Sequence, residues 1–99
     1  MVKRSRLSKG ARKVRKQRLG RSDVESVSFR GVLLGLRDKK TGEWLIWSYG
    51  DDVRFQEFTP EQVIRDPELL DAVAEAEDEG YNLSKRQMFK RLRAKGMVS

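Results

Sequence analysis

The 99-residue chain contains no cysteine and no histidine, and only two prolines. Without thiols there is no disulfide framework, redox pair or cysteine nucleophile, and the lack of cysteine fits a reducing compartment. Without imidazole the commonest general base and the usual zinc ligands are missing, which excludes a histidine-based triad and a zinc site. No uninterrupted apolar run exceeds four residues. That is far short of a membrane span or the h-region of a signal peptide, so the chain is expected to be intracellular, in cytoplasm or nucleoid, with virion or nucleus as further settings. A transit peptide fits poorly, because Lys is as prominent as Arg near the amino terminus and apolar residues are few. The remaining composition suits one small basic domain that binds rather than turns over.

Charge is distributed very unevenly. Residues 1–22 hold Lys3, Arg4, Arg6, Lys9, Arg12, Lys13, Arg15, Lys16, Arg18 and Arg21 with no acid, a side-chain charge of +10. From Asp23 onward the other 12 bases meet all 15 acids, giving −3 and a total of +7. Residues 1–22 therefore read as a basic arm, disordered when free, since ten like charges repel and Val2, Leu7, Ala11, Val14 and Leu19 bury too little to offset ordering. Residues 23–99 read as a single small α+β domain. Such an arm suits a phosphate backbone, where each neutralised phosphate releases condensed counterions.

The body begins with a β-rich stretch from Val24 to Arg37, expected to be one strand. Asp38-Lys39-Lys40-Thr41-Gly42 supplies a hairpin loop ending in a glycine able to take positive φ. Glu43 to Tyr49 returns as a second strand, Gly50-Asp51-Asp52 turns, and Val53 to Phe58 alternates as a third. The expected sheet is an antiparallel three-stranded β-meander.

Two α-helices follow it. Thr59-Pro60-Glu61-Gln62 has a cap, a proline at the first helical position and a glutamine three residues after the cap. Asp66-Pro67-Glu68 repeats the start signal, so residues 60–65 read as a short turn and 67–79 as a helix burying Leu69, Leu70, Val73 and Ala76. After Gly80, Ser84 and Gln87 form another capping box for a helix to Lys95, with Met88, Phe89 and Leu92 inward and Gly96 as stop.

The two helices differ in charge. The first carries Glu68, Asp71, Glu75, Glu77, Asp78 and Glu79, the second Lys85, Arg86, Lys90, Arg91, Arg93 and Lys95. Either these are solvent faces bridged across the helical hairpin, or the second is another cationic face for nucleic acid. Ser84, Met88, Leu92, Gly96, Met97 and Val98 give a segment that resembles the recognition helix of helix-turn-helix proteins. The resemblance implies that Lys85, Arg86, Gln87 and Lys90 lie nearest the bases. No wing follows, and the crossover from Gly80 to Ser84 is longer than that family's tight turn.

Trp44 and Trp47 stand three apart, so a regular strand turns them to opposite faces, one under the helices and one more exposed. An exposed aromatic could stack an unpaired base, but a small sheet needs its large side chains for a core. Asp51 and Asp52, even with Glu43 or Glu57 nearby, read as turn formers rather than a two-metal nuclease centre. No phosphate-binding loop is present and no cofactor or metal is expected.

These features point to a non-catalytic nucleic-acid-binding protein, DNA slightly ahead of RNA. Arg4, Arg6, Lys9, Arg12, Lys13, Arg15, Lys16 and Arg18 of the arm, with Lys85, Arg86, Lys90 and Arg93 of the last helix, are the expected contacts. The rival is a protein-interaction subunit of a larger nucleoprotein assembly such as a polymerase, ribosome or virion. There, the acidic helix or a sheet edge is the partner surface. The sheet edge also leaves dimerisation open.

Overall fold

The computed structural model describes residues 18–99. Strands β1 (Val24–Phe29), β2 (Val32–Asp38) and β3 (Trp44–Trp47) form one antiparallel sheet in the order β1-β2-β3. Helices α1 (Pro60–Arg65), α2 (Pro67–Asp78) and α3 (Lys85–Ala94) follow. The fold is the α+β meander-then-helices arrangement that the sequence implies, but its strands are drawn differently.

The stretch from Val24 to Arg37 folds as a hairpin, not a single strand. Arg30 (φ 53°) and Gly31 (φ 81°) both take left-handed backbone conformations. Two consecutive positive φ values give the primed turn whose twist matches that of the flanking strands. The expected strand at 53–58 is absent. Asp52 instead organises a series of turns: its carboxylate accepts from the Arg54 backbone N–H at 3.0 Å, and its carbonyl accepts from Phe55 and Gln56 at 3.0 and 2.9 Å. The Tyr49 hydroxyl donates to the Phe58 carbonyl at 2.7 Å and closes the loop. Phe55 drops into the core while Val53 stays 77% exposed.

Two register shifts set the faces of the sheet. Val27 pairs with Gly35 but Ser28 with Leu33, leaving Leu34 as the extra residue on β2; Leu36 pairs with Ile46 but Arg37 with Trp44, leaving Leu45 extra on β3. Each bulge moves the in-out alternation by one residue. Val32 and Leu34 consequently face one core with Tyr49, Phe55, Val63, Leu70, Val73 and Ala76, roofed by α1 and α2. Leu36 faces a second core with Val24, Met88, Phe89, Leu92 and Val98, roofed by α3, and Leu33, Leu45 and Ile46 pack against it. The sheet is thus covered on both sides. The β3 bulge also corrects the expectation for the tryptophans, since Trp44 and Trp47 both pack, half-buried, against the first core.

The helix starts follow their local signals, but residues 60–65, expected as a short turn, form the six-residue helix α1. Three helices therefore follow the sheet rather than two: the Thr59 cap and Pro60 start a helix that Pro67 separates from the next. Thr59 and Gln62 form a capping box at α1, Asp66 caps α2 through the Glu68 and Leu69 backbone N–H groups, and Ser84 and Gln87 form a capping box at α3. Of the expected α2 stripe, Leu70, Val73 and Ala76 are buried and Leu69 is half-buried.

The expected disorder of the arm falls mostly on residues outside those described. Its last part, however, belongs to the body. Leu19 forms a parallel bridge with Val98, donating its N–H to the Met97 carbonyl and accepting from the Ser99 N–H, both at 3.0 Å. Arg21–Asp23 make a turn of 3-10 helix leading into β1.

Candidate nucleic-acid interface

Helix α3 owes its orientation to Met88, Phe89 and Leu92, which are buried against the sheet. With that side fixed, Lys85, Arg86, Lys90, Arg91, Arg93 and Lys95 are all exposed. The four α3 cations expected as contacts, Lys85, Arg86, Lys90 and Arg93, therefore share one helix and face solvent.

The Leu19–Val98 bridge brings the amino-terminal segment to this side of the sheet, and Leu19 packs against the second core. Arg21 then lays its guanidinium over the Phe89 ring, 4.2 Å from the centroid. Such contacts contribute about 0.5–1 kcal/mol at exposed sites and hold the cation in place. Arg21, Lys85, Arg86, Phe89 and Arg93 together line an open groove of about 450 Å3 with four cations and no acid. Arg18, exposed, begins the described chain three residues before Arg21. Arg4, Arg6, Lys9, Arg12, Lys13, Arg15 and Lys16 lie outside the described residues.

Arg21 and Phe89 were not among the residues singled out from sequence as contacts. The run of cations already marked Arg21 as basic, but its place beside Lys85 and Arg93 depends on a contact between opposite ends of the chain. Local spacing carries no signal for it.

The acids lie elsewhere. Glu68, Asp71, Glu75 and Asp78 of α2 and its C-cap Glu79 are exposed, whereas Glu77 is half-buried with its carboxylate accepting from the Leu33 N–H at 3.4 Å. Because α2 roofs the first core and α3 the second, their charged surfaces stand on opposite sides of the sheet. Ion pairs among the described residues are Arg37–Glu25 at 2.8 Å, Arg54–Asp52 at 2.7 Å and Arg91–Asp51 at 2.6 Å. None joins α2 to α3, so the bridged-hairpin reading does not describe this pair.

The same geometry limits the helix-turn-helix resemblance to local features. Ser84 caps α3 and Gly96 ends it at φ 76°, but α3 packs on the sheet and shares no core with α2.

The aromatic side chains sit away from the cationic groove or under it. Trp44 donates its indole N–H to the Glu61 carboxylate at 2.7 Å. Phe89 is 3% exposed beneath Arg21. Tyr81, 65% exposed, borders a hollow that also includes Asp51, Asp52 and Glu79. Asp51 and Asp52 are each engaged by an arginine, and among the described residues no group of three or more acids converges as a metal site. No helix among the described residues is long and apolar enough to cross a membrane.

Comparison with known proteins finds no matching family model, no matching curated protein and no matching solved structure.

Proposed function

We propose that this chain is a non-catalytic nucleic-acid-binding protein whose amino-terminal cations and α3 act as one surface on the phosphate backbone. The observation that carries this is the root of the arm. The Leu19–Val98 bridge and the Arg21–Phe89 contact fix the start of the body beside α3, on the side of the sheet away from the acidic helix. Residues 1–17, with eight Lys and Arg and no acid, join the body at that point. Phosphate contacts from the arm then continue those from Arg21, Lys85, Arg86 and Arg93. Long-range repulsion from α2 is reduced by the thickness of the sheet and by a Debye length of about 8 Å at physiological salt.

The test is a binding isotherm of the full-length chain, before and after replacing Arg4, Arg6, Lys9, Arg12, Lys13, Arg15 and Lys16 by Gln. Neutralisation should weaken binding by orders of magnitude at low salt and leave the thermal melt of the body in place. Unchanged affinity would overturn the role given to the arm.

A second reading draws on the same segregation of charge. In an interaction subunit of a larger nucleoprotein assembly, α2 would meet a protein partner while α3 stays free for nucleic acid. Charge reversal at Glu75, Asp78 and Glu79 would then abolish assembly without changing nucleic-acid affinity. Glu77 is unsuited to that test, because its carboxylate accepts from the Leu33 N–H.

A further inference from the structure

We infer that the polymer is duplex DNA and that α3 lies along its major groove, an inference that rests on the nucleic-acid reading above. At about 100° of rotation per residue, the buried Met88, Phe89 and Leu92 define the inner side of α3, and Gln87, Lys90 and Ala94 stand opposite as its crest. Arg86 and Arg93 lie on one flank, next to Arg21 and the start of the described chain. Arg91 lies on the other flank, held by Asp51 at 2.6 Å, with Lys95 beyond it. The crest carries one cation, Lys90, beside Gln87 and Ala94, while Arg86 and Arg93 stand on one flank and Arg91 and Lys95 on the other.

That pattern matches a groove whose two walls are phosphate strands. A helix with side chains is about 10–12 Å across and the major groove of B-DNA about 12 Å wide, so the crest fits between the strands. Arg86 and Arg93 then stand toward one strand and, since Asp51 occupies Arg91, Lys95 toward the other. The major groove of an RNA duplex is deep and narrow and does not admit such a helix. Single strands are recognised largely by stacking bases on open aromatic faces. Here both faces of the sheet are roofed and Phe89 lies under Arg21. The exposed Tyr81 has Arg54 5.5 Å from its ring centroid and borders a hollow with three acids, and the exposed Phe58 lies outside the cationic groove.

The crest also sets the selectivity. Gln87 has the side chain suited to adenine, but its carbonyl oxygen already accepts from the Ser84 N–H at 2.9 Å. Ala94 offers only a methyl group, which leaves Lys90 as the free polar group on the crest. Binding should therefore depend more on duplex form than on base sequence.

The experiment uses the full-length chain with duplex DNA, duplex RNA and single-stranded DNA of equal length and sequence at one salt concentration. Duplex DNA should bind roughly tenfold or more tighter than the RNA duplex, which carries the same number of phosphates. Equal or tighter binding of the RNA duplex or the single strand would overturn the groove assignment while leaving nucleic-acid binding intact. Binding to none of them would sink the proposed function itself. Ala94→Glu and Gln56→Glu then change charge equally at two exposed positions, one on the crest and one in the loop before α1. With both variants shown to be folded by circular dichroism, Ala94→Glu should weaken DNA binding roughly tenfold and Gln56→Glu much less. Equal losses would mean that α3 does not enter the groove.

Discussion

Asp52 holds the loop that takes the place of the expected third strand. Its carboxylate accepts from the Arg54 backbone and guanidinium, and those hydrogen bonds keep it below the ordinary aspartate value. A group with a depressed folded-state pKa contributes stability that is present above its unfolded value and is lost as pH falls through the folded one. Asp52→Asn, which retains one oxygen acceptor, should therefore lower Tm at neutral pH. The gap should narrow as pH falls below the ordinary aspartate range. A thermal-melt series in pH checks this, and a constant gap would contradict it. Asp51-Asp52 was legible as a turn, because turn chemistry is local. That the turn would run on to Phe58 was not, since it depends on the Tyr49 hydroxyl reaching the Phe58 carbonyl. Arg30 was illegible for a different reason: the primed turn usually announces itself with Asn or Asp before Gly, and here Arg takes the first left-handed position.

Among the elements, the helices were the most readable. Thr59 with Gln62, Asp66 with its two amides, and Ser84 with Gln87 are each closed within three residues, so spacing alone gives them. The bulges at Leu34 and Leu45 are relations between strands and leave no periodic trace, so strand alternation alone turns Trp44 and Trp47 to opposite faces. Gly35 lies between the two irregularities, paired with both Val27 and Trp47. A Cβ there would overlap the Ile46 carbonyl oxygen and press on the Trp47 Cα at 3.2 Å. Gly35→Ala should consequently destabilise the fold by about 1–3 kcal/mol, the usual cost of overpacking, read as a lower denaturant midpoint. A neutral substitution would mean that β2 and β3 lie further apart.

For the whole molecule, the contrast between a basic amino-terminal segment and a mildly acidic remainder was evident from charge, but where packing begins was not. The acid-free run continues to Ser22, while packing begins by Leu19. Leu19 is a lone apolar residue among cations, and only its pairing with Val98 at the far end of the chain shows that it belongs to the body. The same pairing places the start of the described chain, from Leu19 to Arg21, on the α3 side of the sheet. The expected α3 cations were readable because a capped amphipathic helix declares its solvent face, whereas their opposition to α2 across the sheet comes from the two cores.

If the arm and α3 act as one cationic surface, as proposed, the salt dependence of duplex binding shows it most directly. Four full-length forms suffice: the natural chain, one with the seven arm cations from Arg4 to Lys16 changed to Gln, one with Lys85, Arg86, Lys90 and Arg93 changed to Gln, and one with both sets changed. The natural chain should show a log-log slope of roughly −4 to −6, each single set should flatten it by about 0.9 for every phosphate contact removed, and the combined form should keep only the shallow slope due to Arg21 and the other remaining cations. If neutralising α3 leaves the slope of the natural chain unchanged, α3 does not touch the backbone and the account is wrong.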